Sequence, residues 1–477
     1  MPEAQEFAMP ATTSANLEVD GGRAAPSGAP LEAGVPGDKS VTHRALLAAM
    51  LPGAPATVTI HHANLGGAVR ALLPAMRALG LAVEVEDTGT GGSTLTVRRG
   101  AAPVAQPRRP HRSVTAWPRD VPYLQTEGSS AAARLLVGLL AGTGTRAVVD
   151  GDEVLRHRPM EWLVEPLVEL GADIRHLGEP GRLPVLVERP VHRPGTVDLT
   201  VGSAQARSAV VLAAVAARLP VTVRRPVRSR DHTERMLAAF GAGLTEQERA
   251  VVCDGGGYTV PPVIEVPGDP SLAAYPLAAH LLWGDGSELR LPDVGLNPTR
   301  LGFFDVLRTA GADIEYADRR TTAGGEPVGT LVARGGLDAV SAVRVDEPAL
   351  LHALIDEVPL LAMVATRLPG TSWIGCAAEL RFKETDRLAT TARLGAAFGA
   401  RIGVTDDGLL IEGGAPLSAG PVPAFEDHRL AMAAATLAMS LPGRTTVLGG
   451  GCHRTSFPDF AGVQRAVGAR IHEDTER

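Results

Sequence analysis

Lysine is almost missing from this chain of 477 residues: only Lys39 and Lys383 are lysine among 46 basic residues, and the other 44 are arginine. A compact ammonium on a flexible stem differs chemically from a planar guanidinium fork, so two lysines in an arginine-biased chain are candidates for function. Net positive charge is missing as well. A formal charge of −7 and a pI near 6.0 provide no general attraction for nucleic-acid backbones or anionic lipid, so neither partner is expected. Any anionic ligand must be drawn by a local cluster. Cysteine is scarce, and Cys253, Cys376 and Cys452 stand far apart with no metal-ligand or redox spacing, which fits a reduced, cytoplasmic setting. Long apolar runs are absent too: the longest, Ala209 to Ala217, falls far short of the roughly 20 residues of a membrane span. The Ala/Pro/Ser/Gly-rich start has no basic-then-apolar leader, and residues 1–14 are expected to be a disordered tail.

What is present is globular material, with 45% apolar and 21% charged residues, in a length that suits two domains better than one. Six segments repeat one pattern: Pro74 to Glu84, Val164 to His176, Met236 to Glu246, Asp305 to Tyr316, Arg393 to Val404 and Val463 to Glu473. Each is a helical apolar stripe that ends in glycine and passes into a short alternating strand. The glycines are Gly80, Gly171, Gly241, Gly311, Gly399 and Gly468, placed where a helix stop needs a left-handed residue. A unit of about 70 residues is longer than a solenoid repeat, so small α/β lobes are expected, three to a domain. The division places residues 36–265 in an N-terminal domain and residues 15–35 plus 266–477 in a C-terminal one. The hinge is assigned to Pro261 to Asp269, with a second crossing near Gly34 to Gly37.

Charged residues gather at expected helix starts. In Gly37-Asp38-Lys39-Ser40 either Asp38 or Ser40 caps an apolar stripe, which puts an ammonium beside unpaired amides at the positive end of a helix dipole. Arg156-His157-Arg158 precedes a helix whose first turn can hold Pro159. Glu379 to Arg387 is denser: Lys383 and Arg387, four apart on one helix face, repel each other in a way that an anion would relieve, with Glu384 beside them. Asp356 sits in the apolar LIDEVPLL, where burial raises a carboxyl pKa toward a value useful for proton transfer. Asp427-His428-Arg429 starts another apolar helix. Together they predict a cleft lined with cations, for a substrate of several negative charges.

The motifs GDKSVTHR, GDEVLRHRPM, SAQARSAVVLAA, SRDHTERML, VPGDPSLAAYPLAA, VGLNPTR, LIDEVPLLA, AELRFKETDR, EDHRLAMA and TSFPDF stand in this order from about Leu17 to Ile471. In this the chain resembles the enolpyruvyl transferases, most closely the EPSP synthase type. The resemblance implies an α/β fold of two domains, an inside-out α/β barrel with three repeated units per domain and the active site in the cleft between them. It implies transfer of the enolpyruvyl group of phosphoenolpyruvate to a hydroxyl of a phosphorylated acceptor, with release of phosphate and neither metal nor organic cofactor. Carried over by position, Lys39, Asp356 and Glu384 are catalytic. Phosphoenolpyruvate falls to Lys39, Ser130, Arg134, Arg158, Arg387 and Arg429. The acceptor falls to Ser40, Arg44, Ser203, Gln205, Ser229, Asp356, Glu379 and Lys383. Such an acceptor site fits shikimate 3-phosphate, and a monomer is expected.

Two departures keep a second acceptor in view. The family's glycine loop reads Glu127-Gly128-Ser129-Ser130-Ala131, and Ala101 to Gln125 is an inserted Pro-rich segment bearing Arg108, Arg109, His111, Arg112, Trp117 and Tyr123. The segment is either a solvated excursion or a cover whose aromatics stack on a base, as transfer to the 3′-hydroxyl of uridine monophosphate would use. A non-catalytic binding homologue is the third reading. Relatives that act on UDP-N-acetylglucosamine carry a loop cysteine, and none occurs here before Cys253.

Overall fold

The computed structural model describes residues 15–23, 30–87, 92–107, 114 and 117–474. The expected tail (1–14) and Arg108, Arg109, His111 and Arg112 lie outside them. All six repeat glycines follow a helix end and adopt φ of +82°, +96°, +90°, +115°, +90° and +100° in chain order. Other residues resist that conformation, so each glycine lets the chain reverse and begin a strand. The strands that follow include Leu81–Asp87, Asp313–Thr321 and Ala469–Asp474.

Six sheets of four strands result. Each has a short edge strand of two to four residues parallel to its neighbour, and two antiparallel pairings beyond. Tyr123–Gln125, Ala147–Asp150, Val185–Arg189 and Asp173–His176 form one of them, in that spatial order. In another, Asn16–Arg23 lies between Arg444–Leu448 and Ala469–Asp474, so the start of the chain completes its last unit.

The sheets surround six apolar helices: α1 (Lys39–Ala48), α2 (Ser130–Thr143), α3 (Ala204–Ala217), α4 (Pro270–Trp283), α5 (Val358–Ala365) and α6 (His428–Ala438). Strands such as Leu409–Glu412 alternate buried and exposed residues, which is the pattern of a sheet with one face in solvent. The helices have no such face: every residue of α5 and α6 is buried, as a helix apolar all round must be. Close packing of α2 on α3 depends on two glycines. A Cβ at Gly138 would lie 2.3 Å from the carbonyl oxygen of Ala209, and one at Gly142 would lie 2.6 Å from that of Ala213.

The buried apolar residues form two large cores. One collects residues from Val41 to Val266 with α1, α2 and α3; the other collects Leu17 to Val35 and Leu272 to Ile471 with α4, α5 and α6. The chain passes between them at 36–40 and 267–271, and the two crossings bond to each other: Asp38 N–H donates to Pro267 O and Asp269 N–H to Pro36 O, at 2.7 and 2.9 Å.

A small third cluster explains the inserted segment. Trp117 packs edge-on against Tyr123, with ring centroids 5.4 Å apart, over Val121, Val148 and Leu186 on the outside of a sheet. Tyr123 is buried and donates to Asp150 at 2.7 Å, so this aromatic pair serves packing and does not stack on a ligand base. Neither expected reading describes these two residues: Tyr123 belongs to an edge strand of the sheet and Trp117 packs on it, because Val148 and Leu186 present an apolar face that the aromatic pair covers.

Candidate active site between the lobes

Acidic caps order the cationic helix starts. Asp38 Oδ1 accepts from Val41 N–H at 2.9 Å, and Asp427 Oδ1 accepts from Arg429 N–H at 2.9 Å. Of the two cap candidates for α1, Asp38 is therefore the one used. Each cap leaves the following cation at the mouth of its helix, where Lys39 Nζ lies 3.5 Å from Ser456 Oγ of the opposite lobe. Asn64 reinforces that crossing by donating from Nδ2 to Ser456 O at 3.2 Å.

Asp356 stands at the centre, on the turn before α5. Arg230 reaches it from the other lobe at 2.7 Å, and Arg387 NH1 and Arg429 NH2 approach at 3.6 and 3.7 Å. Asp356 does not carry the raised pKa expected of it. Burial does push its pKa up, but Arg230, Arg429, Arg387 and Lys383 outweigh burial and hold it well below the usual carboxylate range. The apolar stretch supplies the helix behind Asp356, while the groups in front are guanidinium ions drawn from distant parts of the chain. The carboxyl that burial does raise is the adjacent Glu357, helped by the negative charge of Asp356.

Glu384 accepts from Arg387 NH2 at 2.6 Å and lies 3.9 Å from Arg158 NH2. Burial opposes ionisation, yet Arg387 and then His428 and Arg158 lower its pKa strongly. Arg387, only 2% exposed, also donates to Asp427 Oδ2 at 2.7 Å. Arg429 is 3% exposed, and its Nε and NH1 have no hydrogen-bond partner among the described residues. Burial lowers the pKa of Lys39, as does Arg429, against the pull of Asp356, Asp269 and Glu384. His428 is pushed to about 3 by burial and by Arg429, Arg387 and Lys39.

Lys383 and Arg387 do not share a helix face, contrary to the spacing argument. A 3-10 turn, Ala378–Phe382, ends at an extended Lys383, and Asp386 caps a new helix, Arg387–Ala397, by accepting from Ala389 N–H at 3.1 Å. The break turns Lys383 toward Glu379, with which it pairs, and sends Arg387 into the buried nest. Pro159 likewise lies outside a helix: it falls between the short helix Glu153–Arg156 and the helix Glu161–Glu169. Arg156 does not join the cleft, because it pairs with buried Asp150.

The remaining expected residues divide. Arg134 donates to Gln205 Oε1 at 2.7 Å and stacks 4.5 Å over the ring of Trp162, with Arg158 and Glu379 acting on it electrostatically. Ser130 is the first residue of α2, and Ser203 caps α3 by accepting from Ala206 N–H at 3.3 Å. Ser229 Oγ accepts from Arg207 at 3.0 Å. Arg44 turns inward instead, donating to Thr233 Oγ1, Ser40 O and Ser208 Oγ at 2.6, 2.9 and 2.9 Å. Arg230, Asn64 and Asp427 were not singled out as site residues. Arg230 directly follows Ser229, and Asp427 directly precedes a cationic helix start, which are the only local signals either carries.

The sequence model of EPSP synthase (3-phosphoshikimate 1-carboxyvinyltransferase) matches residues 31–463. The chain belongs to the EPSP synthase family. A 3-phosphoshikimate 1-carboxyvinyltransferase of Synechococcus sp. (strain WH7803) is 38% identical over 439 residues, covering 89% of this chain and 93% of the relative. One from Desulforudis audaxviator is 39% identical, covering 90% and 95%. The solved EPSP synthase of Acinetobacter baumannii superposes with a TM-score of 0.81 at 31% identity, covering 96% of this chain and 100% of that one. The enolpyruvyl transferase NikO from Streptomyces tendae, at 19% identity and a TM-score of 0.71, shares the fold. This EPSP synthase family member is thus a transferase of two-domain α/β architecture. Among its described residues no cluster of three or more His, Cys, Asp or Glu could hold a metal ion, and no single helix is long and apolar enough to cross a membrane.

Proposed function

We propose that the chain transfers the enolpyruvyl group of phosphoenolpyruvate to shikimate 3-phosphate, with closure of a domain of residues 36–265 onto one of residues 15–35 plus 266–477. One observation carries this reading: at the lobe junction the ion pairs of Arg158, Arg230, Arg387 and Arg429 among the described residues go to Asp356, Glu384 and Asp427 alone, Lys39 stands beside them against Ser456, and Arg429 keeps unpaired donors there. Buried guanidinium groups without full partners suit a ligand that brings a carboxylate and a phosphate. Arg387 and Arg429 take the carboxylate, while Lys39, Arg158 and Arg134 take the phosphate beside the start of α2 at Ser130. Ser40, Ser203, Gln205, Ser229, Glu379 and Lys383 hold the acceptor, with Arg44 acting from behind by fixing α1.

The chemistry runs in two steps. Glu384 gives a proton to the methylene carbon as the acceptor oxygen bonds to the neighbouring carbon and its proton passes to Asp356. The bond between the carbon and the phosphate oxygen then breaks, a proton returns from the new methyl group to Glu384, Lys39 stabilises the charge on the departing phosphate, and the proton held by Asp356 leaves with that phosphate. The low pKa of Glu384 is consistent with this role once the donor binds, because an anion between Arg387 and Arg158 weakens the pull that keeps Glu384 ionised.

The test is phosphate release from phosphoenolpyruvate with shikimate 3-phosphate or uridine monophosphate as acceptor. Release with shikimate 3-phosphate alone is expected. Release only with uridine monophosphate would transfer the proposal to that acceptor, and tight acceptor binding without release would favour the non-catalytic reading.

A further inference from the structure

Arg300 lies in VGLNPTR, a motif for which the reaction above has no use. It ends the 3-10 turn Pro298–Arg300, which Asn297 caps. Its side chain is 2% exposed and reaches into both lobes. NH1 donates to Asp38 Oδ2 at 2.7 Å and lies 3.2 Å from His232 Nε2, both of the first lobe. NH2 donates to Asp269 Oδ1 at 2.9 Å and to Ser271 Oγ at 2.7 Å, both of the second. Asp38 and Asp269 cap α1 and α4, so one guanidinium joins the first helix of each lobe.

Lys39 is held between the same two carboxylates. It follows Asp38 directly, and its backbone N–H donates to Asp269 Oδ2 at 3.2 Å. Space for adjustment is small. A Cβ at Gly37 would meet the carbonyl oxygen of His62 at 1.7 Å, so the crossing beside Lys39 is packed backbone against backbone. Rotation of either lobe at this point therefore moves the caps that set Lys39.

We propose that Arg300 is a positioning residue for the transfer reaction: by clamping the caps of α1 and α4 across the lobe boundary, it places the Lys39 ammonium as the lobes close. The inference rests on the role given to Lys39 above. A lysine at position 300 is a single compact cation and cannot fork to two carboxylates, so Arg300→Lys keeps the charge and removes the clamp.

A double-mutant cycle with Lys39→Ala tests this. Arg300→Lys alone is expected to lower kcat about 100-fold, the scale of a misplaced reacting group, with KM for phosphoenolpyruvate changed by less than about threefold. In the Lys39→Ala background the same change should cost less than about threefold, because the group it positions is gone. Equal losses in both backgrounds, or full activity of Arg300→Lys, would overturn the proposal. Should Arg300→Lys not melt cooperatively, Asp269→Asn repeats the cycle, since asparagine still caps a helix but offers Arg300 no charge; the same non-additivity is expected and additivity overturns it. Unchanged kcat in Lys39→Ala alone would remove both the role of Lys39 and the proposal, whereas impaired Lys39→Ala with additive Arg300→Lys removes only the latter.

Discussion

Two buried arginine clusters sit side by side where the lobes meet, and they are built differently. Around Arg300 both terminal nitrogens have two partners each and Nε alone has none among the described residues, while His232 and Asn297 in turn bond Glu326, at 2.7 and 3.2 Å. Around Asp356 three arginines crowd one carboxylate, and Arg429 retains unpartnered Nε and NH1 groups. Burying a charge is costly unless it is paired, so the first cluster is an internal joint and the second a site with cationic surplus. The difference teaches that density of buried charge does not mark a binding site; an imbalance of partners does.

The comparison breaks most visibly if the joint can be removed cheaply. Arg300→Ala leaves Asp38 and Asp269 buried without their main partner and should cost about 3–5 kcal/mol in urea denaturation; a loss below about 1 kcal/mol would mean the joint is not structural. Lys39→Ala should do the opposite, lowering kcat about 100- to 1,000-fold while the thermal midpoint barely moves. The surplus itself can be measured by calorimetry: phosphoenolpyruvate at about 100 times its Kd should stabilise the fold by about 2.7 kcal/mol. With Arg429→Ala that gain should shrink.

Acidification supplies a smaller effect. Burial holds His43 and His453 at about 4, below their unfolded value near 6.5. Between pH 6.5 and 4 the unfolded chain binds more protons, so stability falls as pH falls, by up to about 1.4 kcal/mol per pH unit for each histidine. Melting curves across this window should show the loss, and His43→Gln should flatten part of it. Below that window the depressed carboxylates, Asp38 and Glu384 among them, lose their contribution as they protonate. The smallest effect is reserved for Trp117, whose ring covers a sheet: Trp117→Ala should change kcat/KM for either acceptor by less than about twofold while lowering the melting midpoint.

Much of the fold was legible. The six glycines announce helix ends because a positive φ is a local demand that glycine meets alone among common residues, and the apolar stripes before them are local too. Lys39 and Arg429 were legible as site candidates because each stands at a polar start of an apolar stripe, a local signal, whereas Arg387 was picked by a spacing from Lys383 that the helix break before Arg387 overturns. Arg230 was not, since its value comes from a carboxylate 126 positions away. The ionisation of Asp356 was misread for the same reason: its neighbours in sequence are apolar, and its neighbours in space are arginines.

The amino-acid order by itself determined the repeats and the polar helix starts, which depend on contacts spanning one or two helical turns. Only the folded chain decided which charges face each other, because Coulomb forces depend on distances between lobes that no local pattern encodes. That is why Asp356 is held ionised and why Arg300 joins two helices, although each stands in a motif readable from the start.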